Sequence, residues 1–473
     1  MRPSFVNRVT LLRHAPAIGA IATCVLITAA VFAPTLGFGF LNWDDPWYVI
    51  NNDLIKSWSP SNLFHIATDN VARNYAPLTI LSLLVDHTLW GLNPAGYHVT
   101  NYLLHLLNVV LVYLLVRQVT GNSTVSFITT LVFAIHPVQV ETVAWVSSRK
   151  GLLSSAFMLG SLLYWLKQER NGYDEVKGIA LLIPALLCKA SAVVIPPIVF
   201  TYDVLVRRKT VGESIARQVL PMFLCIQLIL MTMTAQTTIV GGIRSHIGMS
   251  KLQLLWIDSL LLWKYLAMTF WPQNLCVLYD LQVTGIPITL TLCSIAWIAI
   301  AAFAWRCRHR FPLLVWAAAT WFWLLFPVLN FFPITTLMND RYLYLPIIPV
   351  VAMAAYGLIW LSSCATSHVS TRQVAAFAMA APWMLALTMG AINYLPVFKT
   401  DSALWTYTKE KAGTLAVVQI QYALSKKNEG DLKPAIDSLN YALVHCDPDQ
   451  HDIERIHRML AEWSDQQPTI SAL

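Results

Sequence analysis

Nine stretches of the chain run for at least sixteen residues without Asp, Glu, Lys or Arg: 15–43, 87–116, 118–140, 151–166, 218–243, 281–305, 311–339, 343–371 and 373–398. About 20 apolar residues in a helix cross the hydrocarbon core of a bilayer. A water-soluble fold of 473 residues must cover its surface with charge, yet 12% of this chain is charged and 56% is hydrophobic. That charged fraction is about half the usual one. The 24 prolines and 19 glycines are scattered, and no heptad persists. Collagen, disorder and coiled coil are therefore excluded, and a polytopic membrane protein is expected.

The runs place spans at 17–39, 98–117, 122–137, 151–167, 177–190, 191–206, 218–237, 284–305, 311–330, 343–362 and 373–393, about 11 in all. The segment 177–206 is divided because Lys189, Pro184, Pro196 and Pro197 interrupt it. The first span follows Arg2, Arg8 and Arg13 and outruns a secretory h-region, so a retained helix is expected. Positive charge sets orientation. With the N-terminus inside, the inner segments hold fifteen basic residues, among them Arg117, Lys167, Arg207 and Arg372. The outer loops hold eight: Lys56, Arg73, Arg149, Lys150, Arg244, Lys251, Lys264 and Arg341. Under this topology the apolar segment 251–271 has outer loops on both sides and should be interfacial or re-entrant. The eight cysteines show no CxxC spacing and read as small buried hydrophobes.

The chain divides into a membrane domain, 1–398, whose first outer loop is 40–97, and a polar tail, 399–473. Residues 413–446 match one tetratricopeptide repeat: a first helix from Ala416 to Leu424, a Gly430-Asp431 turn, and a second helix with Ala435, Ile436, Leu439 and Ala442 on one face. One repeat buries too little alone. It should pack on flanking helices at 401–411 and 451–463 or on the membrane domain.

Chemistry is expected on the outer side. The first loop opens with Asp44 and Asp45 among Trp43, Trp47 and Tyr48. Adjacent carboxylates there fit a general base, a divalent-cation site, or an interfacial aromatic anchor with solvated acids. His136, Glu141, Trp145, Arg149, Lys150, Lys189, Asp340, Arg341 and Tyr342 also fall at predicted membrane edges. Ionisable groups at that depth are costly and mark candidate sites. Arg341 beside Asp340 also fits a simple salt bridge, and Arg149 and Lys150 fit snorkelling at a helix end. His87, His98 and His105 have no zinc spacing and read as helix–helix hydrogen bonds. Cations beside carboxylates on one membrane face suit an anionic lipid headgroup next to a proton acceptor. Walker A, GxGxxG and GxSxG motifs are absent.

Five blocks carry a resemblance: FLNWDDPWYVINN (40–52), NYAPLTILSLLVDHTLWGLNPAGYHVTNYLLHLLN (74–108), FAIHPVQVETVAWVSSRKGLLSS (133–155), CKASAVVIPPIVFTYD (188–203) and NDRYLYLP (339–346). In this order, with the C-terminal repeat, the chain resembles bacterial relatives of the transmembrane and tetratricopeptide-repeat O-mannosyltransferases, within the GT-C glycosyltransferase superfamily. The resemblance implies an all-α GT-C-like membrane domain with a short repeat tail. It implies inverting sugar transfer from a polyprenyl-phosphate donor to a protein or glycan acceptor on the extracytoplasmic face. By that likeness the catalytic carboxylate of the first loop maps onto Asp44 and Asp45, and Asp45 is expected to act as general base or to position the acceptor, with Asp44 supporting it. The residue reading adds Arg341, Arg149, Lys150 and Lys189 as phosphate ligands, with His136, Glu141, Asp340 and Tyr342 in the same cavity. The rivals are a lipid-linked-sugar transporter or flippase and an inactive scaffold. A divalent metal stays open, no nucleic acid is expected, and the location implied is a bacterial inner membrane with a periplasmic tail.

Overall fold

A computed structural model describes residues 5–72, 74–237, 250–281, 287–331, 336–365, 368–446 and 448–464. Arg2, Arg73 and Arg244, which enter the charge bias above, lie outside the described residues. So do the tail residues after 464. The described part is helical, with one isolated two-residue bridge between Val71 and Asn74.

Helix α1 (Phe5–Phe32) runs into a 3₁₀ turn, Ala33–Gly37. The loop that follows carries only short turns, Pro46–Ile50 and Asp53–Ile55, before α2 (Pro60–Thr68) and α3 (Pro77–Trp90). Next come α4 (Pro94–Thr120), α5 (Ser123–Ile135), α6 (Gln139–Ala144), α7 (Arg149–Trp165), α8 (Gly172–Cys188), α9 (Ile195–Leu205) and α10 (Val211–Thr237). The second half holds α11 (Lys251–Phe270), α12 (Pro287–Cys307), α13 (Pro312–Leu325), α14 (Ile347–Ala365) and α15 (Val369–Tyr394). The tail forms α16 (Asp401–Ala412), α17 (Ala416–Asn428), α18 (Leu432–His445) and α19 (Gln450–Ser464).

Local sequence explains the boundaries. Proline opens α2, α3, α4, α12 and α13, where its missing N–H costs no helical bond. Asn93 caps α4 through Ala95 N, and Gly121, at φ +66°, ends it. Asn122 then caps α5 through Thr124 N and Val125 N. Asn171 and Asp174 form a reciprocal capping box at α8. At Gly178 a Cβ would stand 2.4 Å from Trp165 Nε1, so the close α7–α8 contact requires glycine there.

A helix occupies each of the eleven expected span positions. Among the described residues, six stretches are long and apolar enough to cross a membrane: Ala17–Gly37, Pro94–Thr120, Val211–Met231, Ile288–Cys307, Ile347–Cys364 and Val369–Phe398. Shorter apolar helices lie at Ser123–Ile135, Ala190–Leu205 and Pro312–Val328. The chain is thus a multi-pass integral membrane protein. Ile288, Leu292, Ile295, Ile298 and Phe303 stand exposed along α12, an arrangement suited to lipid and not to water. Helix α5 is buried on every side and sits at the centre, against α1, α4, α14 and α15.

Buried polar groups join distant parts of the chain. His105 Nδ1 lies 2.9 Å from the Tyr344 hydroxyl, and Asn108 Nδ2 donates to the same hydroxyl at 3.0 Å. On the side of the α7–α8 turn, Arg170 pairs with Asp203 at 2.7 Å and with Glu175 at 3.0 Å. Arg207 adds a second bond to Asp203 at 3.1 Å. This network ties the turn to the end of α9. Helix α11 packs into the bundle: Trp263 and Trp297 face each other at 4.4 Å, and Asp258 accepts from Asn330 N at 2.9 Å.

The tail helices α17, α18 and α19 pack on one another. Gly430, at φ +85°, makes the turn between α17 and α18. Ala435, Leu439 and Ala442 are buried against Ile420 and Ala423, and α19 closes the cluster with Ile456 and Trp463. Gly39 N donates to Lys399 O at 3.2 Å, so the loop after α1 and the start of the tail lie on the same side of the bundle.

Candidate active site

Between α7, the α8–α9 joint and the turn before α14 lies a cavity lined by Thr142, Ser148, Lys150, Lys189, Ser191, Arg341 and Tyr342 together with apolar side chains of α7, α13 and the α14 approach. Three cations from parts of the chain far apart in sequence converge here. Each sits at the start of a helix or in a joint between helices. Lys150 is in the first turn of α7. Lys189 is the extended residue between α8 and the next turn, at φ −159° and ψ 130°. Arg341 sits in the 3₁₀ turn Asp340–Leu343.

Each cation is held differently. Arg341 Nη1 lies 2.5 Å from Glu141 Oε1, and Arg341 N donates to Glu141 Oε2 at 3.0 Å. Burial opposes the charged guanidinium, but the Glu141 carboxylate more than offsets it and raises its pKa. The guanidinium also stands 5.4 Å from the rings of Trp145 and Tyr342. Lys150 Nζ donates to the Tyr48 hydroxyl at 3.2 Å and lies 4.0 Å from Asp44 Oδ2. The Lys189 ammonium forms no hydrogen bond or salt bridge with a described residue. Two further donors line the space: the buried Thr142 and Ser148 hydroxyls have no hydrogen-bond partner among the described residues. Unpaired buried hydroxyls are expensive unless something else accepts from them.

The two acids of the first loop part company. Asp45 is fully buried. Its Oδ2 accepts from Leu41 N at 2.8 Å, and its Oδ1 accepts from Ser147 N at 3.0 Å and from the Ser147 hydroxyl. Burial pushes its carboxyl up to about 7 against the pull of those donors. Asp45 therefore ties the loop to the segment before α7. Asp44 is the half-buried acid, its side chain 33% exposed and turned toward Lys150. Because both Asp45 oxygens already receive N–H donors, the adjacent pair does not present two free carboxylates to one cation.

Of the residues singled out from sequence, Asp44, Lys150, Lys189, Arg341 and Tyr342 gather around the cavity, with Glu141 directly behind Arg341. Three others stand elsewhere. Arg149 points the opposite way from Lys150 and pairs with Asp86 at 2.7 Å, both side chains buried. It also donates to Tyr97 O at 2.9 Å. His136 is fully buried, with Nε2 3.1 Å from Thr269 O. Asp340 faces away from Arg341, accepting from Tyr394 OH at 3.2 Å and from Tyr279 OH. Burial, with Glu141's charge added, holds its carboxyl well above the ordinary range. The reason is geometric: successive residues at a helix start point in different directions. Sequence reasoning missed Tyr48's role and the Thr142 and Ser148 hydroxyls. The signal for the latter was faint, small polar side chains beside Glu141 and beside Arg149-Lys150 in an otherwise apolar run.

No protein-family model matches the chain. Over 38% of its length it is 30% identical to the protein O-mannosyl-transferase TMTC3 of Mus musculus. Over 26% it is 33% identical to the protein O-mannosyl-transferase TMTC1 of Homo sapiens. Over 39% it is 27% identical to the protein O-mannosyl-transferase F38B6.6 of Caenorhabditis elegans. The matched stretches cover 21%, 15% and 28% of those relatives, which are far longer than the region shared. Two solved structures align over most of the chain. The Archaeoglobus fulgidus oligosaccharyltransferase tethered with an acceptor peptide aligns at TM-score 0.48 and 11% identity, over 93% of this chain and 60% of that one. ArnT from Cupriavidus metallidurans bound to undecaprenyl phosphate aligns at TM-score 0.40 and 15% identity, over 86% and 81%.

Proposed function

From the relationship of this chain to the protein O-mannosyltransferases we infer that it is a membrane glycosyltransferase. It moves a sugar from a polyprenyl-phosphate donor to a protein or glycan hydroxyl on the extracytoplasmic face. The observation that carries the reading is the cavity of Lys150, Lys189 and Arg341 with two unpartnered hydroxyls, next to Asp44. With Lys189 protonated, three cations stand against two carboxylates, Asp44 and Glu141, which leaves one positive charge. A phosphodiester donor carries one negative charge, and the departing lipid phosphate takes up a second. The preset donors and cations meet that charge where it develops.

In this reading Asp44 removes the acceptor hydroxyl's proton. The acceptor oxygen attacks the anomeric carbon from the face opposite the phosphate. The sugar–oxygen bond breaks with its electron pair leaving on the lipid phosphate, so the configuration inverts. Arg341 and Lys189 hold the phosphate oxygens; Lys150 spans phosphate and Asp44. Asp45 positions the loop and does not take the proton.

The membrane domain, 1–398, is taken to span eleven times, with the N-terminus cytoplasmic and the tail, 399–473, periplasmic in a bacterial inner membrane. The pair α17–α18 is taken as one tetratricopeptide-like repeat. The direct test is a screen of polyprenyl-phosphate hexoses and pentoses with purified protein, reading release of lipid phosphate and labelled acceptor. Release by the wild type and its loss in Arg341→Ala are expected; no release from any donor of the set would reject the activity.

A further inference from the structure

The first loop approaches the tail in three consecutive steps. Gly39 N donates to Lys399 O at 3.2 Å. Asn42 N donates to Asp401 Oδ1 at 2.5 Å. The Trp43 ring meets the fully buried Trp405 ring at 5.1 Å. Asp44 is the next residue. The middle of the same helix leads to the turn that carries Arg341. Tyr407 packs on Tyr394 at 5.6 Å, and Tyr394 OH donates to Asp340, the neighbour of Arg341.

We propose that α16 is a brace that sets the spacing between Asp44 and Arg341, with Asp401 as its positioning residue. This rests on the glycosyltransferase reading of the site. Asp44 and Arg341 are close enough that Asp44's charge favours the charged guanidinium. Yet Asp44 stands on a loop of short turns, with no long helix or sheet to hold it. A loop of that kind needs fixed points outside itself to keep a reacting group in register. A carboxylate accepting a backbone N–H is a strong one. Asp45 and Asp401 together grip consecutive amides, Leu41 and Asn42. The tail does not need Asp401 merely to stay attached. It is anchored separately by Lys411 Nζ on Asn274 Oδ1 at 3.1 Å and by Thr414 on Asp280.

The test compares the full chain with Asp401→Ala, Asp401→Asn and Trp405→Phe. One measurement is amide hydrogen exchange of the peptide containing Gly39–Trp43, which needs no substrate. The other is steady-state transfer from a polyprenyl-phosphate sugar. In Asp401→Ala, exchange should quicken and kcat fall by about tenfold or more, the scale expected from sub-ångström misplacement, with donor KM unchanged. Asp401→Asn keeps an oxygen for Asn42 N and should recover most of kcat. Trp405→Phe keeps a buried ring and should show a smaller change in the same direction; it decides the matter if Asp401→Ala does not fold. Unchanged exchange, faster exchange with full kcat, or an Asn variant no better than Ala would overturn the brace. A wild type that transfers nothing rejects the glycosyltransferase reading itself, and the positioning role with it, whatever the exchange shows.

Discussion

Glu141 holds Arg341 twice, at the guanidinium and at the backbone N–H, across 200 residues of sequence. The acid is fully buried and comes from α6, while the arginine tops the approach to α14. Removing one partner of such a pair leaves a buried charge without compensation, at roughly 3 kcal/mol or more. Arg341→Ala should therefore lower both stability and transfer. The double variant Glu141→Gln/Arg341→Met should recover the melting temperature in detergent and remain inactive. A double variant that regains transfer would remove Arg341 from the phosphate site.

Asp44→Asn keeps size and removes the base. Transfer should fall about a hundredfold, the usual cost of losing a general base, with the thermal transition unchanged. Full turnover would favour a transporter or scaffold, which needs the cations and not the acid. Asp45→Asn should differ in kind. Its amide group would meet Leu41 N or Ser147 N donor to donor, so the loop should loosen, at about 1–3 kcal/mol for an unsatisfied buried donor.

Lys189 separates binding from folding. An ammonium without a protein partner opposes folding more than it helps. Lys189→Met should leave stability equal or higher and raise the donor KM by about tenfold, one lost charged contact. Titration with polyprenyl phosphate alone should show the same weakening. Unchanged lipid-phosphate affinity would place the headgroup elsewhere.

The pH dependence follows from Asp45. Its folded-state carboxyl titrates at about 7, above the ordinary 3.8, because burial penalises the charged form. The folded protein thus binds the proton more tightly than the unfolded chain, and stability falls as pH rises between those two values. The contribution is complete below 3.8 and gone above about 7. Melting temperature in detergent should decline from pH 4 to 7, and Asp45→Asn should flatten that slope. A wild type whose stability rises over this window contradicts the assignment.

A reporter fused after Lys399 should be reached by membrane-impermeant label from outside the cytoplasm, as should one in the 40–97 loop. The two positions lie side by side, through Gly39 N on Lys399 O, so labelling from opposite sides would contradict the structure as well as the span count.

Much of this protein was legible in its residues. Charge-free runs mark where helices form because a bilayer accepts almost nothing else, so every expected span position carries a helix, from Pro94–Thr120 to Val369–Tyr394. The capping residues Asn93, Asn122 and Asn171 mark helix starts through bonds to their own neighbours. The Asp44-Asp45 pair and the scattered cations were visible as costly groups at membrane edges. Sequence could not say which member of each adjacent pair enters the cavity. Lys150 does, with Asp44 turned toward it from the first loop, while Asp45 and Arg149 turn into the packing, on Ser147 and Asp86. That choice depends on side-chain direction at irregular turns and on partners a hundred or more residues away. Nor could it show that Asp401 reaches Asn42, 359 residues back. Local chemistry determined the helices; only the packing of distant helices decided which charges meet, because an ion pair belongs to two positions in space and neither sequence position specifies the other.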